Sequence, residues 1–225
     1  LEAAEDVRAR GKVPIFVGGT MMYFKALLDG LSEMPASNPD VRAAIEKEAI
    51  EQGWPEMHRR LQVVDAITAE ALHPNHSQRI SRALEVYRQT GVPMSQWRER
   101  SQGQKRAAIC VALAPAERRT LHERIEHRFD DMLANGFLEE VAALYQRGDL
   151  HVDLPAARAV GYRQLWSHLS QEYSLEIARE KGIAATRQLA KRQITWLRGW
   201  SGLHWVDSGV KNVQEQVKAR FRNYL

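Results

Sequence analysis

Cysteine is nearly absent from the sequence. The only one is Cys110, which lies in an apolar run. A single cysteine excludes an intramolecular disulfide and favours a reducing compartment. Apolar stretches of 18 residues and signal-peptide patterns are absent too, so we expect a soluble cytoplasmic protein with no membrane partner. The sequence also lacks a Walker A motif and a Cys/His cluster with zinc spacing, so we expect no metal ligands within its 225 residues. No Ser/His/Asp order suggests acyl transfer.

Basic residues are only slightly in excess, but they are unevenly placed. The 32 Lys and Arg residues against 28 Asp and Glu residues give a pI near 9.3, so a phosphate-binding surface must come from clustering. The clearest cluster is Arg187–Trp200, where helical spacing puts Arg, Lys, Gln and Thr on one face and apolar residues on the other. An ordinary solvated surface has the same pattern. However, no Asp or Glu lies between Lys181 and Val206 to pair with these cations along the helix, which favours phosphate binding.

Three short apolar runs are typical of strands buried in a parallel sheet: Val13–Val17, Ala108–Leu113 and Leu203–Val206. Helices predicted before and after the first run give the alternation of a doubly wound α/β fold. Two or three strands do not make a sheet that is covered on both sides. We therefore expect the fold to include an N-terminal portion that precedes Leu1.

The stretch between the first two predicted strands is helical by pattern. Asn38 and Pro39 are typical of an N-cap and a first helical position, and Gly53, Asp65 and Gly91 are typical of helix ends and caps. We therefore predict a partial α/β core over residues 1–36 and 104–225, with a helical insertion over residues 37–103.

Gly18, Gly19 and Thr20 directly follow the first predicted strand and open a helix. In open α/β sheets ligands bind at this edge, where glycines let a substrate approach the main chain and Thr20 can form a hydrogen bond with it. A tight turn in which Thr20 only caps the helix explains the same residues.

Three groups of cations are candidates for binding an anion. Arg128 lies beside Met132 at the edge of an apolar helical stripe, so we expect a partly buried guanidinium that needs phosphate or a carboxylate such as Glu117 or Asp131. Arg158 and Arg163 flank a loop-to-helix junction. The third group lies on a helix of the insertion and comprises Gln78, Arg79 and Arg82.

Five segments taken in order resemble bacterial tRNA dimethylallyltransferases: VGGTMMYFKALLDGL, HPNHSQRISRALEVY, RIEHRFDDMLANGFLEEV, ARAVGYRQLW and TRQLAKRQITWLRGW. The resemblance implies a P-loop-type α/β core with a helical insertion that holds the anticodon stem-loop. It implies transfer of a dimethylallyl group from its diphosphate to N6 of adenine 37, next to the anticodon. The implied partners are tRNA and dimethylallyl diphosphate, the implied cofactor is Mg²⁺, and we expect a monomer.

The resemblance also implies roles for residues that match the family's motifs. Thr20 and Arg128 would be catalytic, with Thr20 near the reacting adenine and Arg128 on the diphosphate side, and Gly18 and Gly19 would line the substrate channel. The residues implied to bind tRNA are Arg42, Gln78, Arg79, Ile80, Ser81, Arg82, Arg158, Ala159, Val160, Gly161, Tyr162, Arg163, Lys191, Arg192, Gln193, Ile194, Thr195, Trp196, Leu197 and Arg198.

The sequence departs from the family pattern in two places. The P-loop with its lysine, the Mg²⁺ ligands and the catalytic aspartate are expected before Leu1, so we expect residues 1–225 alone to be inactive. The segment Ser101–Ala108 is shorter than the family usually shows. Two other functions stay open, an isopentenyltransferase that acts on free adenine nucleotides and a non-catalytic RNA-binding module.

Overall fold

The computed structural model of the protein describes residues 1–30, 34–100, 106–152 and 154–222, so most of the shortened segment at 101–108 lies outside the described residues. Within this part of the chain the residues form two compact units. The helical unit consists of Leu1 and Met22–Ala108, and the sheet unit consists of Glu2–Met21 and Ile109–Leu225. No helix of the described residues is both long enough and apolar enough to cross a membrane.

The described residues form twelve helices and two strands. In chain order these are α1 Glu2–Ala9, α2 Met21–Asp29, α3 Pro39–Gln52, α4 Trp54–Val64, α5 Ala66–Glu70, α6 Ser77–Thr90, α7 Met94–Arg100, β1 Cys110–Ala114, α8 Arg118–Ala134, α9 Phe137–Gln146, α10 Tyr162–Leu169, α11 Leu175–Arg198, β2 Leu203–Asp207 and α12 Val213–Phe221.

Local signals determine where the helices of the helical unit begin. The Asn38 side chain accepts hydrogen bonds from two main-chain N–H groups of the first turn of α3, at 3.0 and 3.3 Å, as an N-cap does. Asp65 caps α5 by accepting from the N–H of Thr68 at 3.1 Å, and its other oxygen accepts from the N–H of Ser95 in α7 at 3.0 Å. Asp65 is 4% exposed, so one carboxylate ties two helices to the buried core. That core contains Ile45, Met57, Leu61, Ile80 and Val86.

The sheet unit contains a parallel pair of strands and a helical core. β1 pairs with β2 from Cys110 opposite Leu203 to Ala114 opposite Asp207, so both strands end at the same edge. α8 to α11 bury Phe129, Phe137, Val141 and Leu165 together. These strands confirm two of the predicted runs, with β1 shifted towards its C-terminal end.

The strand predicted at Val13–Val17 is wrong. The segment is not assigned to a strand, and Ile15 and Val17 are 76% and 91% exposed. A parallel strand needs neighbouring strands to pair its N–H and C=O groups, and no strand of the described residues pairs with this segment. An apolar run alone does not show whether such neighbours exist.

Candidate functional site

A cleft of about 600 Å³ lies in the sheet unit, at the carboxyl ends of β1 and β2. Ala114, Pro115 and Ala116 line it where β1 leads into α8, and Asp207 lines it where β2 ends. Ligands of open α/β sheets bind at this edge, because the connections there place side chains over the strand ends. The cleft is therefore the candidate site.

Basic side chains from two helices line the cleft. Arg118 and His122 come from the first turns of α8, and Arg187, Lys191 and Arg198 come from one face of α11. Desolvation by burial, together with the charges of Arg118 and Arg187, lowers the pKa of His122. The arginine and lysine side chains give this part of the cleft a positive potential suited to phosphate groups.

The same cleft has an apolar wall, made by Leu121, Ala190, Ile194, Trp205 and Val206. The Trp205 side chain is 44% exposed, so an aromatic surface is accessible to a ligand. Cations beside hydrocarbon fit a ligand that carries both an anionic and an apolar part.

Among the described residues, one carboxylate lines the cleft, that of Asp207, and main-chain groups hold it in place. Oδ1 of Asp207 accepts from the N–H of Ala116 at 3.1 Å and from the N–H of Gly209 at 2.8 Å. These bonds join the turn after β1 to the turn after β2. Asp207 therefore shapes the edge of the cleft.

The tRNA-binding residues predicted on α11 occupy both of its faces. Lys191, Arg192 and Arg198 are exposed, as predicted, while Ile194 and Leu197 are half-buried. Trp196 is 46% exposed, and the Thr195 hydroxyl donates to the carbonyl of Lys191 at 2.9 Å.

Gly18, Gly19 and Thr20 are all exposed and do not lie at the end of a strand, so their predicted place at the sheet edge is wrong. The segment instead contacts α11, where the side-chain amide of Gln193 donates to the carbonyl of Gly19 at 2.8 Å. A Cβ atom on Gly19 would lie 2.5 Å from Nε2 of Gln193, so a glycine permits this approach. The structure thus joins two predicted groups, although not through a strand.

The partial burial predicted for Arg128 from its helical position is wrong. Its side chain is exposed, and it is not among the residues that line the cleft. The apolar stripe of α8 packs Ile125, Phe129, Met132 and Leu133 against the core, and Arg128 lies beside this stripe on the solvent side. From α8 it is Arg118 that reaches the cleft, so the diphosphate role of Arg128 stays a prediction without support from its position.

The segment Arg158–Arg163 presents exposed arginines around a buried turn. Arg158, Ala159 and Arg163 are exposed, Val160 is half-buried and Gly161 is buried. Gly161 has φ +94°, and a Cβ atom there would lie 2.9 Å from the ring of Phe137, so the turn requires glycine. The Tyr162 side chain is half-buried, and its ring packs edge-on against Phe137 at the border of the core.

In the helical unit, the predicted tRNA-binding residues divide between surface and interior. Gln78 and Arg79 are exposed at the start of α6, whereas Ile80 and Ser81 are buried. Arg82 and Arg42 both reach Glu85, a fully buried carboxylate, with N–O distances of 3.0 and 3.5 Å.

The Glu85 site anchors the chain that leads into α3. Its carboxylate also accepts from the Ser37 hydroxyl at 2.7 Å and from the Asn38 N–H at 2.6 Å, and Arg82 donates to the carbonyl of Pro35 at 2.5 Å. Burial opposes the charge, but these hydrogen bonds and Arg82 outweigh it and lower the pKa of Glu85. Arg82 therefore has a structural partner three positions further along the same helix, and this ion pair is an alternative to the RNA contact predicted for Arg82.

Comparison with known proteins gives one consistent result. The family model described as IPP transferase matches residues 1–200. The chain belongs to the IPP transferase family. Its fold, mixed helical with a small parallel sheet, matches structures of that family.

Three solved structures are similar to this IPP transferase family member over nearly its whole length. The full-length tRNA isopentenylpyrophosphate transferase of Bacillus halodurans is 28% identical with a TM-score of 0.61, covering 97% of this chain and 68% of its own. The tRNA delta(2)-isopentenylpyrophosphate transferase of Staphylococcus epidermidis is 28% identical, with a TM-score of 0.61 and coverages of 100% and 74%. A eukaryotic dimethylallyltransferase acting on tRNA is 26% identical, with a TM-score of 0.78 and coverages of 99% and 59%.

The described residues do not fit a Mg²⁺ site. No group of three or more His, Cys, Asp and Glu side chains among them could hold a metal ion. Asp207, the carboxylate in the cleft, uses Oδ1 to bind two main-chain N–H groups. The Mg²⁺ that the resemblance implies, with ligands expected before Leu1, therefore stays a prediction.

Sequence reasoning missed Arg118, His122 and Asp207 as residues of the IPP transferase cleft. Two of them lie within a few residues of a strand end, since Arg118 follows β1 by four positions and Asp207 ends β2, whereas His122 lies one helical turn beyond Arg118. A search for polar residues just after each predicted strand would have found Arg118 and Asp207. The same search at Val13–Val17 found residues that the structure places elsewhere.

Proposed function

We propose that the protein transfers a dimethylallyl group from dimethylallyl diphosphate to N6 of adenine 37 in tRNA. Membership of the IPP transferase family and likeness to enzymes described as acting on tRNA support prenyl transfer to tRNA. The observation that carries the proposal is the cleft, because Arg187, Lys191 and Arg198 line it together with an apolar wall. A prenyl diphosphate has the same division into an anionic end and a hydrocarbon end.

The chemistry is a direct displacement. The N6 lone pair attacks C1 of the dimethylallyl group, the C1–O bond breaks, and diphosphate leaves with the bonding electrons while N6 loses a proton. Negative charge grows on the departing oxygen in the transition state, so cations fixed around the cleft lower the barrier. Holding both substrates in line supplies much of the remaining rate, and no covalent enzyme intermediate is needed.

The adenine must leave the stack of the anticodon loop before its amine can react. Extruding a base costs a few kcal/mol, which is least for a base in a loop. We propose that Thr20 binds the extruded base and that Gly18 and Gly19 allow its close approach. Contact between Gly19 and Gln193 supports this, because it holds the segment against the helix whose other residues line the cleft.

Exposed cations outside the cleft suit the RNA backbone. Arg79 at the start of α6, Arg158 and Arg163 before and within α10, and Arg192 on α11 are all exposed. Arginine side chains of this kind bind phosphate oxygens without reading the sequence, so they hold the stem rather than select the base.

The test uses the full-length protein, isotope-labelled dimethylallyl diphosphate and a tRNA transcript with adenine at position 37. We expect label to enter the tRNA, and mass spectrometry of nuclease fragments to place it on that adenine. The matched control is the same transcript with guanine at 37, which should take up no label. Label in free adenosine monophosphate but not in tRNA would contradict the proposal and support the action on free nucleotides, and tight tRNA binding without transfer would support the non-catalytic alternative.

A further inference from the structure

A row of ion pairs joins α8 to α11 and ends at the cleft. Arg179 donates through Nη2 to Oδ2 of Asp130 at 2.7 Å, and a second bond joins the same two side chains. The same Nη2 lies 3.5 Å from Oε1 of Glu126. The other oxygen of Glu126, Oε2, accepts from Nη2 of Arg187 at 2.7 Å, and Arg187 lines the cleft.

The Arg187 guanidinium is held by hydrogen bonds through Nη2, whereas its Nε has no partner among the described residues. Its Nη2 donates to Glu126 and, at 3.4 Å, to the carbonyl of His122. Its Nε is buried and has no hydrogen-bond partner among the described residues. Buried donors without a partner are rare in proteins, and at the edge of a cationic cleft such a donor is suited to an anionic oxygen.

We propose that Arg187 binds a phosphate oxygen in the cleft and that Glu126 is the positioning residue that holds its guanidinium in place. The inference rests on the proposed function, which supplies two sources of phosphate oxygen, the prenyl diphosphate and the tRNA backbone. It narrows the phosphate contact of the basic α11 face to Arg187, and it gives a role to Glu126, which the sequence motifs leave without one because it lies on α8 among several other carboxylates.

The direction in which Glu126→Gln changes the affinity for an anion distinguishes a positioning role from a simple effect of charge. Glu126 carries a negative charge next to an anion site, so by Coulomb's law alone its removal strengthens anion binding. Positioning has the opposite effect, because an arginine side chain loses considerable rotamer freedom when it binds, and Glu126 has already fixed it. The Glu126 side chain is 45% exposed and that of Arg187 is 34% exposed, so solvent weakens the Coulomb effect.

The experiment measures binding of three probes by titration calorimetry: dimethylallyl diphosphate, inorganic diphosphate and an anticodon stem-loop RNA. The variants are Arg187→Gln, Arg187→Lys, Glu126→Gln and the double variant with both glutamines. The matched control is Glu123→Gln, which removes an exposed carboxylate of the same helix that pairs with Arg119 outside the cleft. Circular dichroism and thermal unfolding show that each variant is folded.

We expect Arg187→Gln to weaken the binding of at least one probe about tenfold or more, because a charge-assisted hydrogen bond is lost. Arg187→Lys should restore part of that affinity. Glu126→Gln should weaken the same probe about threefold or more. The double variant should bind no worse than Arg187→Gln, because Glu126 acts only through Arg187. Loss with both diphosphate probes identifies the prenyl diphosphate as the source, and loss with the RNA alone identifies the tRNA backbone.

Tighter or unchanged binding in Glu126→Gln would overturn the positioning role, and so would an equal loss in Glu123→Gln. Unchanged binding of every probe in Arg187→Gln would overturn the phosphate contact. Binding of no probe by the unsubstituted protein would contradict the proposed function, and this inference would fail with it. The unsubstituted protein therefore tests the proposed function, and the variants test the inference.

Discussion

Gly182 in α11 has no room for a side chain. A Cβ atom there would overlap Cζ of Phe129 and lie 2.5 Å from Cε2 of the same ring, a separation that Cβ atoms in folded proteins essentially never show. Phe129 is 2% exposed, and its ring packs edge-on against Phe137 with 6.2 Å between centroids. Because the ring is enclosed, the substitution Gly182→Ala has to push α8 and α11 apart or force the ring out of its rotamer.

The two effects of Gly182→Ala on stability oppose each other. Alanine is favoured over glycine within a helix by about 1 kcal/mol. Overpacking of a filled core costs about 1–3 kcal/mol, and the enclosed Phe129 ring puts this site at the upper end. We therefore expect the free energy of unfolding to fall by about 1–2 kcal/mol.

The assay is urea unfolding followed by circular dichroism, with Gly199→Ala as the control. The nearest neighbour of a Cβ atom at Gly199 is the carbonyl of Trp196 at 3.6 Å, an ordinary contact, so that variant should change stability by no more than about 0.5 kcal/mol. Replacing Phe129 by leucine in the Gly182→Ala background should cost less than it does alone, since the smaller side chain relieves the clash. An increase in stability in Gly182→Ala would refute the packing argument.

Three further predictions test single residues. Asp65→Ala should lower the free energy of unfolding at pH 7 by about 1–3 kcal/mol, and Asp65→Asn by less, because the amide can accept from only one of the two N–H groups that Asp65 binds. Burial opposes the charge of Asp65, but those N–H bonds lower its pKa. The carboxylate therefore stabilises the fold at pH values above its ordinary pKa, and this stabilisation is lost as the pH falls through the lowered pKa. Urea unfolding between pH 2 and 7 would show the loss, and a stability difference between Asp65 and Asp65→Ala that does not change with pH would contradict it. Arg82→Ala should cost about 1.5–3 kcal/mol by leaving Glu85 short of a partner, whereas Arg79→Ala should leave stability unchanged and weaken tRNA binding; the reverse would refute the division between them. Thr20→Ala should slow single-turnover transfer about tenfold or more with tRNA affinity unchanged, and a tenfold loss of affinity at an unchanged rate would refute the role of Thr20.

Local signals in the sequence were sufficient for most helices. The α3 helix begins as predicted because Asn38 and Pro39 meet the needs of its first turn without help from distant residues. Gly91 ends α6 in the left-handed conformation that glycine adopts readily. Predictions of this kind hold because cause and effect lie within one turn of helix.

The predictions that failed depend on distant partners. An apolar run such as Val13–Val17 becomes a strand only if neighbouring strands pair with it, and its own residues do not reveal them. Arg128 lies at the edge of a helical stripe, where a small rotation of the helix decides between burial and exposure, and helical spacing alone does not fix that rotation.

The cleft itself also depends on distant partners. Pairing of β1 with β2 brings Arg118 and Asp207 to one edge although 89 positions separate them in the sequence. The basic face of α11 was predictable because it comes from one helix. Its partner Glu126 was not, since the ion pair with Arg187 crosses between two helices.

The central claim is that the basic face of α11 binds phosphate, and the salt dependence of tRNA binding tests it most directly. Each phosphate contact releases counterions, so Lys191→Ala should flatten the log–log slope of affinity against salt by about 0.7–0.9, and Arg198→Ala should do the same. The control is Lys218→Ala on α12, which removes a lysine that pairs with Glu215 outside the cleft and should leave the slope unchanged. Slopes that stay at the unsubstituted value in both α11 variants would contradict the claim.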